Sequence, residues 1–293
     1  IERDEIGTVK KIICSNHIIE GDIFIDCTGY KRIFSSKSDW VSFKDNLPMN
    51  SVTTFTRKHQ ESMVTKADKL KIGWCWQIPT QERLGCGYVS CDEWGDDVVD
   101  EIKSNYSDAE IVKSFKFESG KLKKSWNHNV ISLGRAYHFL EPLQATNIHL
   151  TLVQIEMLCQ KCIRDTIDRT LNPNVISYYN KHIDNLIEDF KNFINIHYSC
   201  DSRVKMTDYN NEIIDLLKVR GLFHEDIFQA YGSCGIQLWG HTLLGLNHLT
   251  KEDCHKFLSE MNSYDEVKEV SIELEDTFIS TPFLTYKELI DIL

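Results

Sequence analysis

The chain has 293 residues, 42% hydrophobic and 26% charged, enough apolar material for one large core or two ordinary ones. A net charge of −11 with no basic stripe excludes a nucleic-acid surface, and no uninterrupted apolar run reaches membrane-spanning length. Ten cysteines are too dilute for a disulfide scaffold, so they read as reduced thiols of a cytoplasmic protein. Cys14, Cys27, Cys75 and Cys86 sit among apolar neighbours and are expected to pack as small hydrophobes.

Residues 1–149 read as β-rich. Val9 to Ile13, with Ile18 and Ile19, predict a short hairpin around Ser15-Asn16-His17. Ile23-Phe24-Ile25 is continuously apolar, the pattern of a strand buried on both faces. It stops in Asp26-Cys27-Thr28-Gly29, where glycine permits a turn or a close backbone approach. Residues 71–79 and 84–90 predict a hairpin across 80–83. Residues 93–105 predict a helix, and 112–117 and 126–133 two further strands, the second ending at Gly134.

Residues 150–293 read as mainly helical. Ile148, Leu152, Ile155, Cys159, Cys162, Ile163 and Ile167 fall on one helical face, predicted to pack inward. A second helix follows from Val175, Tyr178, Tyr179, Ile183, Leu186, Phe190, Phe193 and His197. Further helices are predicted over 211–219, 224–246, 251–261 and 286–292. No internal repeat or low-complexity tract interrupts this order, which predicts an α/β chain with α+β character and no flexible linker.

Two segments carry chemistry. In Gly73-Trp74-Cys75-Trp76-Gln77-Ile78-Pro79, the large residues alternate at period two, so both indoles project from one face and Pro79 stops the strand. Spacing alone favours an ordinary core strand. In Phe139-Leu140-Glu141-Pro142-Leu143-Gln144-Ala145-Thr146-Asn147, Pro142 keeps Glu141 extended and Thr146 suits a helix N-cap. The unpaired N–H groups beyond such a cap make a natural seat for a small anion.

The two segments, in this order, resemble the signatures of the flavin-dependent halogenases, the tryptophan halogenase family. Residues 20–30, 126–150, Tyr179-Asn180 and His197-Tyr198 extend the resemblance. It implies an incomplete FAD-binding sheet domain of the flavin monooxygenase type, followed by a mainly helical substrate-side region. It also implies oxidative halogenation of a small aromatic, indole-like substrate, with halide, dioxygen and reduced FAD supplied by a separate flavin reductase. A homodimer is left open. By the same resemblance Gly29, Gly134, Arg135 and Leu150 would touch the flavin, and Thr146 and Asn147 would hold the halide through their backbone. Trp74, Trp76, Ile78 and Pro79 would form the wall between flavin and substrate.

The chain also departs from the family. Its glycine-rich FAD loop and catalytic lysine are not in this sequence, so the chain reads as a C-terminal fragment, inactive alone. Gln144 stands at the family's catalytic Glu position, and an amide can orient but cannot accept a proton. Losing one preorganised electrostatic group costs on the order of 10²–10³ in rate. A hydroxylase of the same superfamily and a non-catalytic fragment therefore remain as alternatives. No metal is expected: Cys159 and Cys162 form a lone pair on an apolar helix face and read as core. His197 reads as capping or packing, His241 and His248 as structural, and residues 273–276 as a solvated acidic surface.

Overall fold

The computed structural model describes residues 1–58, 64–163 and 172–250. The helices read over 251–261 and 286–292, the acidic cluster at 273–276 and Ile167 lie outside the described residues. The chain begins with β1 (Glu2–Arg3), β2 (Val9–Ile13), β3 (Ile18–Glu20), β4 (Phe24–Asp26) and β5 (Trp40–Ser42). There follow β6 (Ser51–Lys58), β7 (Lys66–Leu70), β8 (Gly73–Pro79), β9 (Arg83–Ser90), α1 (Val98–Asn105) and β10 (Glu110–Lys116). Short strands β11 (Gly120–Leu122), β12 (Trp126–Asn127), β13 (Val130–Ser132) and β14 (His138–Phe139) lead to α2 (Thr146–Met157), α3 (Pro173–Ile196), α4 (Asp208–Leu217) and α5 (Ile236–Gly245). The result is a mixed α/β chain, strand-rich first and helical later.

The described residues divide into two compact units that interleave in sequence: those within 1–48, 118–213 and 223–242, and those within 49–117, 214–222 and 243–250. The strands before residue 48 thus share a unit with α2 and α3.

The second unit is built on an antiparallel five-stranded sheet, ordered β10-β6-β9-β8-β7. Alternation in β8 sends Cys75 toward Tyr88, and Gln77 toward Cys86, on the face that α1 covers with Ile102 and Tyr106. Tyr88 fixes this face: its hydroxyl accepts from Ile72 N–H at 3.1 Å and donates to Glu101 at 2.6 Å. Gln77 is buried but paired, accepting from Arg57 at 2.8 Å and donating to Asp68. The opposite face carries Trp74, Trp76 and Ile78. The β8–β9 hairpin thus follows the predicted register, its strands joined across 80–82.

In the first unit, β4 and β13 pair in parallel, with Ile25 opposite Ile131 and Asp26 opposite Ser132. Phe24 and Asp26 are buried whereas Ile25 between them is 50% exposed, so among the described residues β4 has one covered face, and the expected burial of Ile23-Phe24-Ile25 on both faces is corrected. The single strand expected over 126–133 is two, β12 and β13, separated by a reversal at His128 (φ +53°).

Three asparagines staple this unit by using one amide against both backbone groups of a distant residue. Asn129 holds Val9 (2.9 and 2.8 Å), Asn147 holds Leu140 (2.9 and 2.6 Å) and Asn180 holds Trp126 (2.8 and 2.8 Å). Each amide stands where a neighbouring strand would, satisfying groups that short strands leave unpaired.

α3 starts as its sequence dictates, with Asn172 accepting from Asn174 N–H and Pro173 in the first turn. It buries Tyr179, Ile183, Leu186, Phe190 and Phe193, as periodicity predicts, but leaves Tyr178, read on the same face, 55% exposed. α2 does not follow its predicted face. Leu150, Val153, Gln154 and Met157 point inward, whereas Ile148 (74% exposed) and Leu152 (60%) point to solvent. This helix has apolar residues on two sides, and the inner side includes a buried glutamine that hydropathy does not mark.

Beyond α2 the chain widens into a π-helical turn over Leu158–Ile163, which buries Cys162 and leaves Cys159 exposed, so the two do not share an inward face. Cys27 is exposed as well, against expectation, because it follows the edge strand. The helix read over 93–105 begins at Val98, after a 3₁₀ turn at Asp92–Trp94 and a bend at Gly95 (φ +153°). That read over 224–246 is a 3₁₀ turn, a loop around Gly232 (φ +83°) and then α5. None of the described helices is long and apolar enough to cross a membrane.

Candidate functional site

Parallel strands place their carboxyl ends side by side, the usual crevice for a ligand in an open α/β sheet. Here β4 runs into a turn headed by Gly29 (φ +63°) and β13 into one headed by Gly134 (φ +55°). A backbone in the left-handed region favours glycine, which accounts for both residues. The two turns are tied together: Leu133 N–H donates to Asp26 C=O at 3.0 Å, and Tyr30 meets Phe139 edge-on at 5.4 Å. The Arg135 guanidinium lies 5.5 Å from the Tyr30 ring centroid and 5.9 Å from that of Phe139. Gly29, Gly134 and Arg135, inferred separately, are therefore brought to one place.

Two buried groups escaped the sequence reading. Asp26 is fully buried at the end of β4; its Oδ1 accepts from Thr28 N–H and Oγ1, while Oδ2 has no partner among the described residues. Gln154, also fully buried, accepts from Gly134 N–H at 3.0 Å and donates to Ser125 at 3.2 Å. It ties the middle of α2 to the Gly134 turn. A polar residue on the apolar stripe of a helix was the signal that could have found it. Leu150 is wholly enclosed on the same helix face.

The 140–147 loop is closed at its base by the Asn147 staple to Leu140. Within it, Gln144 and Ala145 both adopt left-handed backbone (φ +64° and +53°), so the chain turns sharply into α2. Ala145 occupies the N-cap position and Thr146 is already helical, which corrects the expected Thr146 cap: its angles are not those of an N-cap, and no described side chain caps this helix. Instead Thr146 Oγ1 is buried without a partner among the described residues, beside the positive end of α2. A hydroxyl donor and a helix start together suit a small anion.

Gln144 is exposed, and its Nε2 lies 2.9 Å from Nε2 of His197, whose Nδ1 lies 2.8 Å from the Phe193 carbonyl. His197 is thus a partner of the loop rather than only a helix end. Its neighbour Tyr198 donates to Glu141, which is fully buried. Burial holds His197 below the usual histidine range. Nearby His138 is fully enclosed, and burial, aided by the Arg32 charge, pushes it down to about 3, so it is neutral at working pH.

Trp74, Trp76, Ile78 and Pro79 belong to the second unit, the residues above to the first. Within their sheet the indoles touch at 5.9 Å with planes 55° apart, as their spacing requires. Trp74 is buried, its Nε1 without a partner among the described residues; Trp76 and Pro79 are half-buried, and Ile78 is 45% exposed. Trp76 lies flat over Gly87, where an added Cβ would come within 2.1 Å of the indole.

Residues 1–220 match the family model described as tryptophan halogenase. The chain is 24% identical over 217 residues to the tryptophan 7-halogenase RebH of Lentzea aerocolonigenes, covering 69% of this chain and 40% of that protein. It is 27% identical over 217 residues to the tryptophan 6-halogenase ThaL of Streptomyces albogriseolus, with the same coverage. The chain therefore spans about 40% of the length of these curated relatives. Among solved structures, the flavin-dependent halogenase BrvH of Brevundimonas sp. BAL3 superimposes with a TM-score of 0.79 at 20% identity, covering 99% of this chain and 62% of that one. The fold is that of these halogenases, and since the family model spans well over half of the sequence, the chain belongs to the tryptophan halogenase family.

Proposed function

We propose that this chain forms part of a flavin-dependent halogenase that halogenates a small aromatic, indole-like substrate with reduced FAD, dioxygen and halide. The observation that carries this reading is the junction of the Gly29 and Gly134 turns at the ends of parallel strands, next to the stapled 140–147 loop. The residues present fit both groups. Asp26 Oδ2 is a buried acceptor awaiting a hydroxyl donor, and Thr146 Oγ1 is a buried hydroxyl beside a helix start. FAD, reduced by a separate reductase, would pass its electrons to dioxygen, and dioxygen so activated would be the oxidant toward halide.

In this reading Gly29 and Gly134 offer backbone rather than side chain to the flavin, Arg135 flanks it, and the enclosed Leu150 backs it. Thr146 and Asn147 hold the halide at the first turn of α2. Trp74, Trp76, Ile78 and Pro79 keep the substrate off the flavin, rigid indoles being suited to a wall. Gln144 faces the substrate passage. A homodimer is compatible with this arrangement.

One observation favours a second reading. Gln144 is neutral and hydrogen-bonded to a neutral imidazole, so no ionised carboxylate stands at the family's Glu position, and oxygen insertion competes. The full-length gene product, given reduced FAD, dioxygen, bromide and a panel of indoles, separates the two by mass spectrometry. A bromine isotope doublet is the expected product. Hydroxylated indole alone would replace the halogenase reading with the hydroxylase.

A further inference from the structure

The 140–147 loop and the end of α3 meet at one polar contact, Gln144 to His197, 53 residues apart in sequence. Its chemistry is directional. The Phe193 carbonyl can only accept, so the His197 Nδ1 beside it at 2.8 Å must carry a proton. A neutral imidazole then has a bare lone pair on Nε2, and the group 2.9 Å away must be the NH₂ end of the Gln144 amide. The amide is planar, so its oxygen points the other way, and among the described residues Oε1 takes no hydrogen bond. A protonated imidazole reverses this. Both ring nitrogens then donate, the amide turns over to offer Oε1 to the ring, and its NH₂ end faces outward.

We infer that His197 is a positioning residue that sets which end of the Gln144 amide faces the site, oxygen outward when the imidazole is neutral and nitrogen outward when it is protonated. This rests on the halogenase reading for its purpose. Electrophilic attack leaves positive charge on the substrate ring, which a carbonyl oxygen stabilises and an amide NH₂ opposes. The neutral dyad thus gives this chain a partial negative charge where the family has a full one.

The surroundings allow the switch. Among the described residues the ring meets the Phe193 carbonyl and phenyl (centroids 5.1 Å apart) from its own helix and the Gln144 amide from the loop. The titratable neighbours on those elements are otherwise engaged: Glu141 accepts from Tyr198, and the Cys200 thiol lies 4.0 Å from the His197 carbonyl. Burial disfavours the imidazolium, whereas the carboxyl end of the 24-residue α3 favours it. The oxygen-outward state therefore prevails at neutral pH, and the reversal falls on the acid side.

The test needs no cofactor. In the full chain labelled with ¹⁵N-histidine and ¹⁵N-glutamine, His197 should appear as the Nδ1–H tautomer, and the Gln144 side-chain NH₂ resonances should titrate with the same midpoint as the ring. Gln144→Glu puts a carboxylate on Nε2 and should raise the His197 midpoint by about one pH unit or more. An Nε2–H tautomer, or a His197 midpoint unmoved by Gln144→Glu, overturns the inference whatever the activity. In the full-length enzyme, product formation should fall off in acid with the His197 midpoint, and Gln144→Glu should shift that limb. Coupled titrations without any halogenated product would sink the proposed function while leaving the dyad standing.

Discussion

Asn147→Ala isolates the staple that closes the 140–147 loop. Alanine keeps helix propensity at the start of α2, so the change removes the two hydrogen bonds to Leu140 and little else. Leu140 is fully buried, and its N–H and C=O would lose their partners with no water at hand. Each stranded group costs about 1–3 kcal/mol, so the loss should be roughly 2–6 kcal/mol. For a unit of this size about 1 kcal/mol moves Tm by about 2–4 °C, which predicts a fall of about 4 °C or more. Thermal denaturation followed by circular dichroism measures it. A variant within about 0.5 kcal/mol of the parent, the range of an ordinary surface change, would refute the argument that the staple holds the loop.

Thr146→Val is nearly isosteric and removes one donor from the anion seat. It should weaken bromide binding, read by bromide NMR linewidth, by about 10-fold or more, since hydrogen bonds to charged groups contribute about 1.5–3 kcal/mol; unchanged binding would remove the Thr146 hydroxyl from the seat and leave the backbone alone to form it. Gly87→Ala drives a methyl into the Trp76 indole. It should destabilise by about 1–3 kcal/mol and change tryptophan emission, and an unaltered spectrum would contradict the flat stacking of Trp76. His138→Phe bears on pH. The folded state holds this histidine well below its ordinary value, so only the unfolded chain gains a proton as pH falls from about 6.5 toward 3. The parent should lose stability across that window, and the phenylalanine variant should lose less; equal slopes would mean that His138 is not enclosed.

Periodicity found what neighbouring residues determine. The β8–β9 hairpin and the buried face of α3 were legible because each residue's direction follows from those two or four positions away. The same logic failed at α2, where Ile148 and Leu152 suggested the wrong face and the buried Gln154 went unread. It failed again at His128, whose left-handed backbone splits one expected strand into two. The family signature pointed to Gly29, Gly134, Arg135, Thr146 and Asn147 as candidates, but not to what holds them in place. Asn129 and Val9 are 120 positions apart, and no local pattern announces a contact at that distance. The Gln144–His197 pair is of the same kind, because it exists only once a loop and a distant helix end are folded against each other.

One rod bears on both ends of the site. α2 carries Thr146 at its tip, and eight residues on, about 12 Å along the axis at 1.5 Å per residue, its Gln154 grips the Gly134 amide. A helix this short is stiff, so displacement of either end reaches the other. If an ion binds at the tip and a ring system on the glycine turn, as proposed, the two would share a single coupling energy: the factor by which the first tightens the second equals the factor by which the second tightens the first.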